Sequence, residues 1–175
     1  MQFGRLSLIV RNVIWAALLP GLVAGFVPWS YFGVDPSAFD PASMRHLAGG
    51  VVMLAGVALL TACIVEFARK GRGTLSPLDP PRALVVHGLY RYVRNPMYLS
   101  VATIAIGELI VWPSRGLLIW WLSWFAWVNV FVIAVEEPAL KRQFGSSYAH
   151  YARAVGRWLP RRQPYAPPRQ LQGDP

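Results

Sequence analysis

Residues 117–135 read LLIWWLSWFAWVNVFVIAV, a stretch that contains no charged residue. A helix needs about 20 apolar residues to cross the roughly 30 Å hydrocarbon core of a bilayer, and this stretch approaches that length. Three further apolar runs precede it, at residues 13–33, 47–67 and 97–112. The sequence therefore predicts an all-α integral membrane protein with about four transmembrane helices.

The composition supports this class of protein. Hydrophobic residues make up 55% of the chain and charged residues only 14%, whereas about 25% of the residues in a soluble domain are charged. In the second run, Ala58 and Ala62 have the spacing of small residues at contacts between membrane helices, so we expect a close helix contact there. Glu66, three residues before Arg69, is expected to have a structural role at the membrane interface.

Most basic residues fall on one side of the predicted membrane. The segments before the first run, between the second and third runs, and after the fourth carry 15 of the 17 lysines and arginines. The positive-inside rule therefore places both termini and the central loop in the cytoplasm. This skew accounts for the net charge of +9, which indicates contact with anionic lipids and not with nucleic acid. The excess of arginine over lysine indicates a GC-rich bacterial genome, so we expect a bacterial inner membrane protein.

The loop between the second and third runs contains an unusual set of residues. Four prolines, at positions 77, 80, 81 and 96, prevent a continuous helix over residues 71–98. Non-helical backbone near a membrane is tolerated where it is buried in protein or lines a cavity, so this loop predicts a pocket. Its tyrosines offer rings and hydroxyl groups to a ligand. Arg91 and Arg94 either bind a carboxylate, as part of a substrate site, or mark the cytoplasmic interface.

A second polar cluster follows the fourth run, in VEEPALKRQFGSSYAHY. Pro138 suits the first turn of a new helix, Gly145 suits its end, and a further short helix follows; we expect both to lie along the membrane surface. Glu136 and Glu137 precede this new helix. They either stabilise its N-terminus or hydrogen-bond a ribose or ammonium group, and their spacing leaves both interpretations open.

Several kinds of chemistry are not indicated by the sequence. The three histidines are dispersed and no cysteine pair exists, so no metal site is expected. The segment GRG at residues 71–73 lacks the spacing and the preceding strand of a soluble dinucleotide-binding fold. Cys63 lies inside the second run, where a buried thiol is expected to be structural and not a nucleophile.

Two sequence blocks together resemble a known family. HGLYRYVRNPMY at residues 87–98 and EEPALKRQFGSSYAHYARAVGRWLPR at residues 136–161 are similar to the isoprenylcysteine carboxyl methyltransferase and phospholipid methyltransferase group. The resemblance covers roughly residues 70–162. It implies an integral-membrane enzyme that binds S-adenosylmethionine on the cytoplasmic side.

The resemblance also implies the roles of particular residues. The cofactor site would be formed by Arg82, Ala83, Leu84, Val85, Tyr90, Asn95, Pro96, Tyr98 and Glu136. Many members have histidine where this chain has Asn95, and because an amide cannot titrate, this difference argues against a general base there. The sequence indicates no other catalytic residue.

The predicted function is methyl transfer from S-adenosylmethionine to a lipophilic acceptor, as in isoprenylcysteine carboxyl methyltransferase. A phospholipid amine or a hydrophobic thiol is the alternative acceptor. Members that methylate a prenylcysteine carboxylate have an arginine one helical turn before the first glutamate, where this chain has Val132. This difference favours a lipid amine, a hydrophobic thiol or a small lipophilic acid held by Arg91 or Arg94. An NADPH-dependent membrane reductase and a non-enzymatic scaffold are the remaining classes of protein that the sequence allows.

The expected units of the chain are a helix pair over residues 1–68, the methyltransferase core over residues 69–162 and a disordered tail over residues 163–175.

Overall fold

The computed structural model describes residues 20–70 and 84–166 of the chain. Within these two ranges the backbone forms helices and turns and contains no strand, in agreement with the predicted all-α class. The α-helices of the described residues, numbered in chain order, are α1 (Val27–Tyr31), α2 (Met44–Lys70), α3 (Pro96–Val111), α4 (Arg115–Phe131) and α5 (Glu137–Ala154). Two π-helical segments, Leu22–Phe26 and Val132–Glu136, precede α1 and α5, and 3-10 turns lie at Pro36–Ala38 and Gly88–Arg91.

Two helical stretches of the described residues are long and apolar enough to cross a membrane. These are Met44–Glu66 and the stretch Arg115–Ala154, which contains a kink at Gly145. The helix α3 is apolar but shorter, with 16 residues, and residues 13–19 of the first predicted run lie outside the described ranges. These helices support membrane association, while the total of four spans and their orientation stay predictions.

The helices α2 and α3 pack against each other through glycines. A Cβ atom on Gly107 of α3 would lie only 2.7 Å from the carbonyl oxygen of Gly49 on α2, and Gly56 faces the α3 backbone almost as closely. Contacts this short require positions without a side chain. The expectation that Ala58 and Ala62 make the helix contact is wrong: both are exposed, because they lie about 160° and about 120°, respectively, from Gly56 around α2.

The helix continues through the two glutamates without a break. Proline has no N–H, so Pro138 cannot donate to the carbonyl of Ala134, and the backbone widens there into the π-helical turn Val132–Glu136. Pro138 lies in the first turn of α5, as predicted, but no interruption separates α4 from α5. The predicted break at Gly145 is confirmed, because its φ of 51° is a conformation that glycine adopts readily.

After α5 the chain turns back over the loop at residues 84–95. We call residues 155–165 the C-terminal strap. Three backbone hydrogen bonds of 2.9 Å join the strap to the loop: Arg94 N to Gly156 O, Arg161 N to Tyr92 O, and Tyr165 N to Arg91 O. Tyr165 is also buried, so the described structure continues past residue 163, where the tail was predicted to begin. Residues 167–175 lie outside the described ranges.

Candidate active site

The loop, the start of α3 and the π-helical turn meet at one end of the helices. Tyr98, in the first turn of α3, donates a hydrogen bond of 3.1 Å from its hydroxyl to Oε2 of Glu136. The side chain of Glu136 is partly buried, and Tyr98 is its hydrogen-bond partner among the described residues. A carboxylate in such a place keeps further acceptor capacity for a ligand.

Aromatic residues hold Tyr98 in position. The centroid of its ring lies 6.4 Å from that of Trp124 on α4 and 6.4 Å from that of Trp158 in the strap. The indole of Trp158 is itself fixed, since its Nε1 donates a 2.9 Å hydrogen bond to Asn129. Edge and tilted ring contacts of this kind are favourable beyond the area they bury. The hydroxyl of Tyr98 is therefore directed at Glu136 by packing from two other parts of the chain.

Tyr90 forms the loop's side of the site. Its side chain is buried, and it lies within electrostatic range of Glu136 and Tyr98. Burial is the largest of the causes that raise the pKa of the Tyr90 phenol well above its ordinary value, so the phenol is neutral at pH 7. Its carbonyl oxygen accepts a hydrogen bond of 2.6 Å from the hydroxyl of Tyr151. This bond fixes the loop backbone beside the site.

Glu137, the neighbour of Glu136, has a different environment. Its carboxylate forms ion pairs with Arg94 at 2.9 Å and with Arg157 at 2.6 Å, and Arg157 Nη2 donates a second bond of 2.9 Å. The hydrogen bond from Arg157 to Glu137 raises the pKa of that guanidinium above its ordinary value. Glu137 is thus engaged by cations from the loop and the strap, whereas Glu136 faces Tyr98.

The other residues implied by the resemblance lie around this centre. Asn95 is buried and donates a 3.3 Å hydrogen bond to the carbonyl oxygen of Arg157. Pro96 is buried as the first residue of α3, Val85 packs with Tyr90, and Leu84 packs against the tyrosines of the strap and α5. Arg82 and Ala83 lie outside the described residues.

The two arginines considered for the substrate make contacts within the chain. Arg91 donates from Nε to the carbonyl oxygen of Tyr165 at 2.7 Å. Arg94 pairs with Glu137 and donates to the hydroxyl of Tyr148 at 3.3 Å. Its Nε is buried and has no hydrogen-bond partner in the described part of the chain.

A cavity of about 300 Å³ lies between α2 and the loop and is open on one side. We call it the α2–loop cavity. Its lining residues are Ala62, Cys63, Val65, Glu66, Gly88, Leu89 and Tyr90. Tyr90 lines this cavity and is also one of the residues that the resemblance implies for the cofactor site.

Two further features of the described residues limit the chemistry of this site. No group of three or more histidine, cysteine, aspartate or glutamate side chains among them could hold a metal ion. Glu108 is buried near the other end of α3, where it accepts a 3.2 Å hydrogen bond from the indole of Trp121. A separation of 10 residues from Tyr98 corresponds to about 15 Å along a helix, so Glu108 lies apart from the site.

Sequence reasoning missed three residues that build the site. The sequence assigned no individual role to Arg157, Tyr151 or Trp158. Each acts through a partner in another segment: Glu137, the Tyr90 carbonyl and Tyr98, respectively. All three residues lie within the second block of the resemblance. That block indicates that they belong to the part of the chain that resembles the family but does not show which residues they contact.

A family model described as phospholipid methyltransferase matches residues 44–147, which is more than half of the chain. The match begins at α2 and ends within α5, so it includes Tyr90, Tyr98 and Glu136. No curated protein and no solved structure matches the chain.

Proposed function

Since the chain belongs to the phospholipid methyltransferase family, we propose that it transfers a methyl group from S-adenosylmethionine to a lipophilic acceptor in a membrane. The single observation that supports this most is the contact between Tyr98 and Glu136 beside the buried Tyr90. These residues come from both blocks of the resemblance. If the two glutamates only stabilised the N-terminus of a helix, Glu136 would need no contact with Tyr98.

The chemical groups of the site suit this cofactor. S-adenosylmethionine supplies an electrophilic methyl group on a cationic sulfonium, and it carries ribose hydroxyls, an ammonium group and a carboxylate. Glu136 would accept hydrogen bonds from hydroxyl or ammonium donors, and the buried Nε of Arg94, which has no partner among the described residues, would donate to a carboxylate. The neutral ring of Tyr90 would form a wall of the site. The donor and acceptor types required are therefore present on the loop and on the π-helical turn.

The residues of the chain would act mainly by positioning and by excluding water. Trp124 of α4 and Trp158 of the strap pack against Tyr98 beside Glu136, and these rings would lower the local dielectric and help to hold a ligand in one orientation. Asn95 cannot titrate and is engaged with the Arg157 carbonyl, so we assign it an orienting role. No dedicated base is needed if the acceptor is already ionised.

The acceptor proposed is an amine lipid or a hydrophobic thiol in preference to a prenylcysteine carboxylate. Val132, one turn before Glu136, is fully buried and apolar. It provides no cation at the position where prenylcysteine methyltransferases carry an arginine, and an unpaired carboxylate is costly to bury. We also propose, from the distribution of basic residues, that the site opens to the cytoplasmic face of a bacterial inner membrane.

The proposal is tested by binding and turnover with the full chain purified in detergent. We expect S-adenosylmethionine to bind and NADPH not to bind. Labelled methyl transfer is then measured to phosphatidylethanolamine, a long-chain thiol and a farnesylated cysteine analogue. Binding of NADPH alone would favour a reductase, binding of neither would favour a scaffold, and preferred transfer to the farnesylated carboxylate would contradict the proposed acceptor.

A further inference from the structure

A single amide side chain lies in the apolar run that forms most of α4. Residues 117–135 carry no charge, and Asn129 is the one asparagine or glutamine among them. A polar side chain in an apolar environment costs free energy unless it has a hydrogen-bond partner. Asn129 is partly buried, and its Oδ1 accepts a 2.9 Å hydrogen bond from Nε1 of Trp158. The amide therefore connects the apolar helix to the C-terminal strap.

The indole of Trp158 is held at three points. Its N–H is the single hydrogen-bond donor of the side chain, so the acceptor on Asn129 determines which way the ring turns. Phe125, one turn before Asn129 on α4, packs against the same ring with a centroid distance of 5.1 Å. The backbone just before Trp158 is fixed as well, because the carbonyl oxygen of Arg157 accepts a 3.3 Å bond from Asn95.

Trp158 in turn supports the ring of Tyr98. The two rings meet edge to face, with an interplanar angle of 67° and a centroid distance of 6.4 Å, a geometry that depends on the orientation of both rings. The hydroxyl of Tyr98 then donates to Oε2 of Glu136 at 3.1 Å. Contacts thus run without interruption from Asn129 through Trp158 and Tyr98 to Glu136.

Stability of the helix alone does not account for an amide at position 129. Leucine or valine would suit an apolar helix, and hydrogen bonds between membrane helices add little stability on average. A hydrogen bond has a preferred direction, whereas an apolar contact does not. The property that Asn129 adds is therefore a fixed orientation of the Trp158 ring.

We propose that Asn129 is a positioning residue of the cofactor site. Through Trp158 it holds Tyr98 in the place where the tyrosine hydroxyl binds Oε2 of Glu136, and this leaves Oε1 of the carboxylate directed at the cofactor. The inference rests on the proposed contact between Glu136 and S-adenosylmethionine. It adds to that site a residue of the apolar helix that acts only through its neighbours.

The test measures the Kd for S-adenosylmethionine by isothermal titration calorimetry, with the full chain in detergent. Asn129→Leu removes the acceptor at similar volume, and Trp158→Phe removes the N–H but keeps an aromatic ring. We expect each to raise the Kd about three- to tenfold, the effect of one lost hydrogen bond. Ser123→Leu is the matched control, because Ser123 is an exposed polar residue of the same helix, and it should leave the Kd unchanged.

A second background separates positioning from a merely structural role. Tyr98→Phe keeps the ring but lacks the hydroxyl that binds Glu136. If Asn129 acts through that hydroxyl, adding Asn129→Leu to Tyr98→Phe should change the Kd less than about twofold. A general loosening of the fold would instead weaken binding by the same factor in the wild type and in Tyr98→Phe.

The possible outcomes distinguish this inference from the proposed function. An unchanged Kd in Asn129→Leu, or equal losses in the two backgrounds, would overturn the role of Asn129 and leave the cofactor proposal intact. If Asn129→Leu does not fold, Trp158→Phe is measured in the same two backgrounds and the same results decide. If the wild type bound no S-adenosylmethionine, the proposed function would fail and the inference with it.

Discussion

Tyr98 and Glu136 are joined by a hydrogen bond of 3.1 Å although they are 38 residues apart in the chain. The adjacent Glu137 is instead paired with Arg94 and Arg157. Two identical side chains at consecutive positions therefore have different contacts. Glu137 ties the loop and the strap to α5, whereas Glu136 accepts a hydrogen bond from Tyr98 and is the residue that we propose contacts the cofactor.

This difference predicts that substitutions of the two glutamates affect different properties. Glu136→Gln should weaken binding of S-adenosylmethionine by about ten- to a hundredfold, because a charged acceptor becomes a neutral one. Its effect on stability should be small. Isothermal titration calorimetry in detergent measures the affinity, and an unchanged Kd would remove Glu136 from the cofactor site.

Glu137→Gln should mainly lower stability. Loss of the carboxylate leaves Arg94 and Arg157 without their shared anion, and because the pair is partly exposed the expected cost is about 1–2 kcal/mol. Thermal unfolding in detergent measures it. A loss of cofactor affinity as large as that of Glu136→Gln, without a loss of stability, would contradict the structural role assigned to Glu137.

The contact between Tyr151 and the loop can be tested in the same way. Tyr151→Phe removes the hydroxyl that donates to the Tyr90 carbonyl and leaves that buried oxygen without the bond, so we expect a loss of about 1–2 kcal/mol in stability. Tyr92→Phe is the matched control, since Tyr92 is an exposed tyrosine of the same loop. Equal effects of the two substitutions would argue against a special role of Tyr151.

The glycine contact between α2 and α3 predicts a further pair of results. Gly107→Ala places a Cβ 2.7 Å from the Gly49 carbonyl oxygen, so the helices must separate, and we expect destabilisation of about 1–3 kcal/mol. Gly25→Ala meets nothing within 4 Å and should be neutral or slightly stabilising, because alanine favours helix. A neutral Gly107→Ala would contradict the close packing of these helices.

The orientation of the chain is tested with single cysteines after replacement of Cys63. Tyr92→Cys in the loop should react with a membrane-impermeant thiol reagent only after the cells are opened. Ser37→Cys, an exposed position on the opposite connection, should react in intact cells. The reverse pattern would overturn the orientation derived from the basic residues.

The sequence by itself determined the class of protein, the apolar runs and the residues of the two blocks. These properties follow from hydrophobicity, from the lack of an N–H in proline and from residue spacing, all of which act locally along the chain. For this reason the break at Gly145 and the resemblance to the family were predicted correctly. The resemblance assigned Glu136 and not Glu137 to the cofactor, but the pairing of Glu137 with Arg94 and Arg157 was not predictable, because these partners lie in distant segments of the chain.

Only the tertiary structure decided which distant groups meet. Packing at Gly49 and Gly56, in place of Ala58 and Ala62, depends on which face of α2 turns towards α3, and helical periodicity leaves that rotation open. The pairing of Arg157 with Glu137 requires the strap to fold back over the loop through backbone hydrogen bonds. Such bonds form between peptide groups that every residue has, so the identities of the side chains do not reveal them.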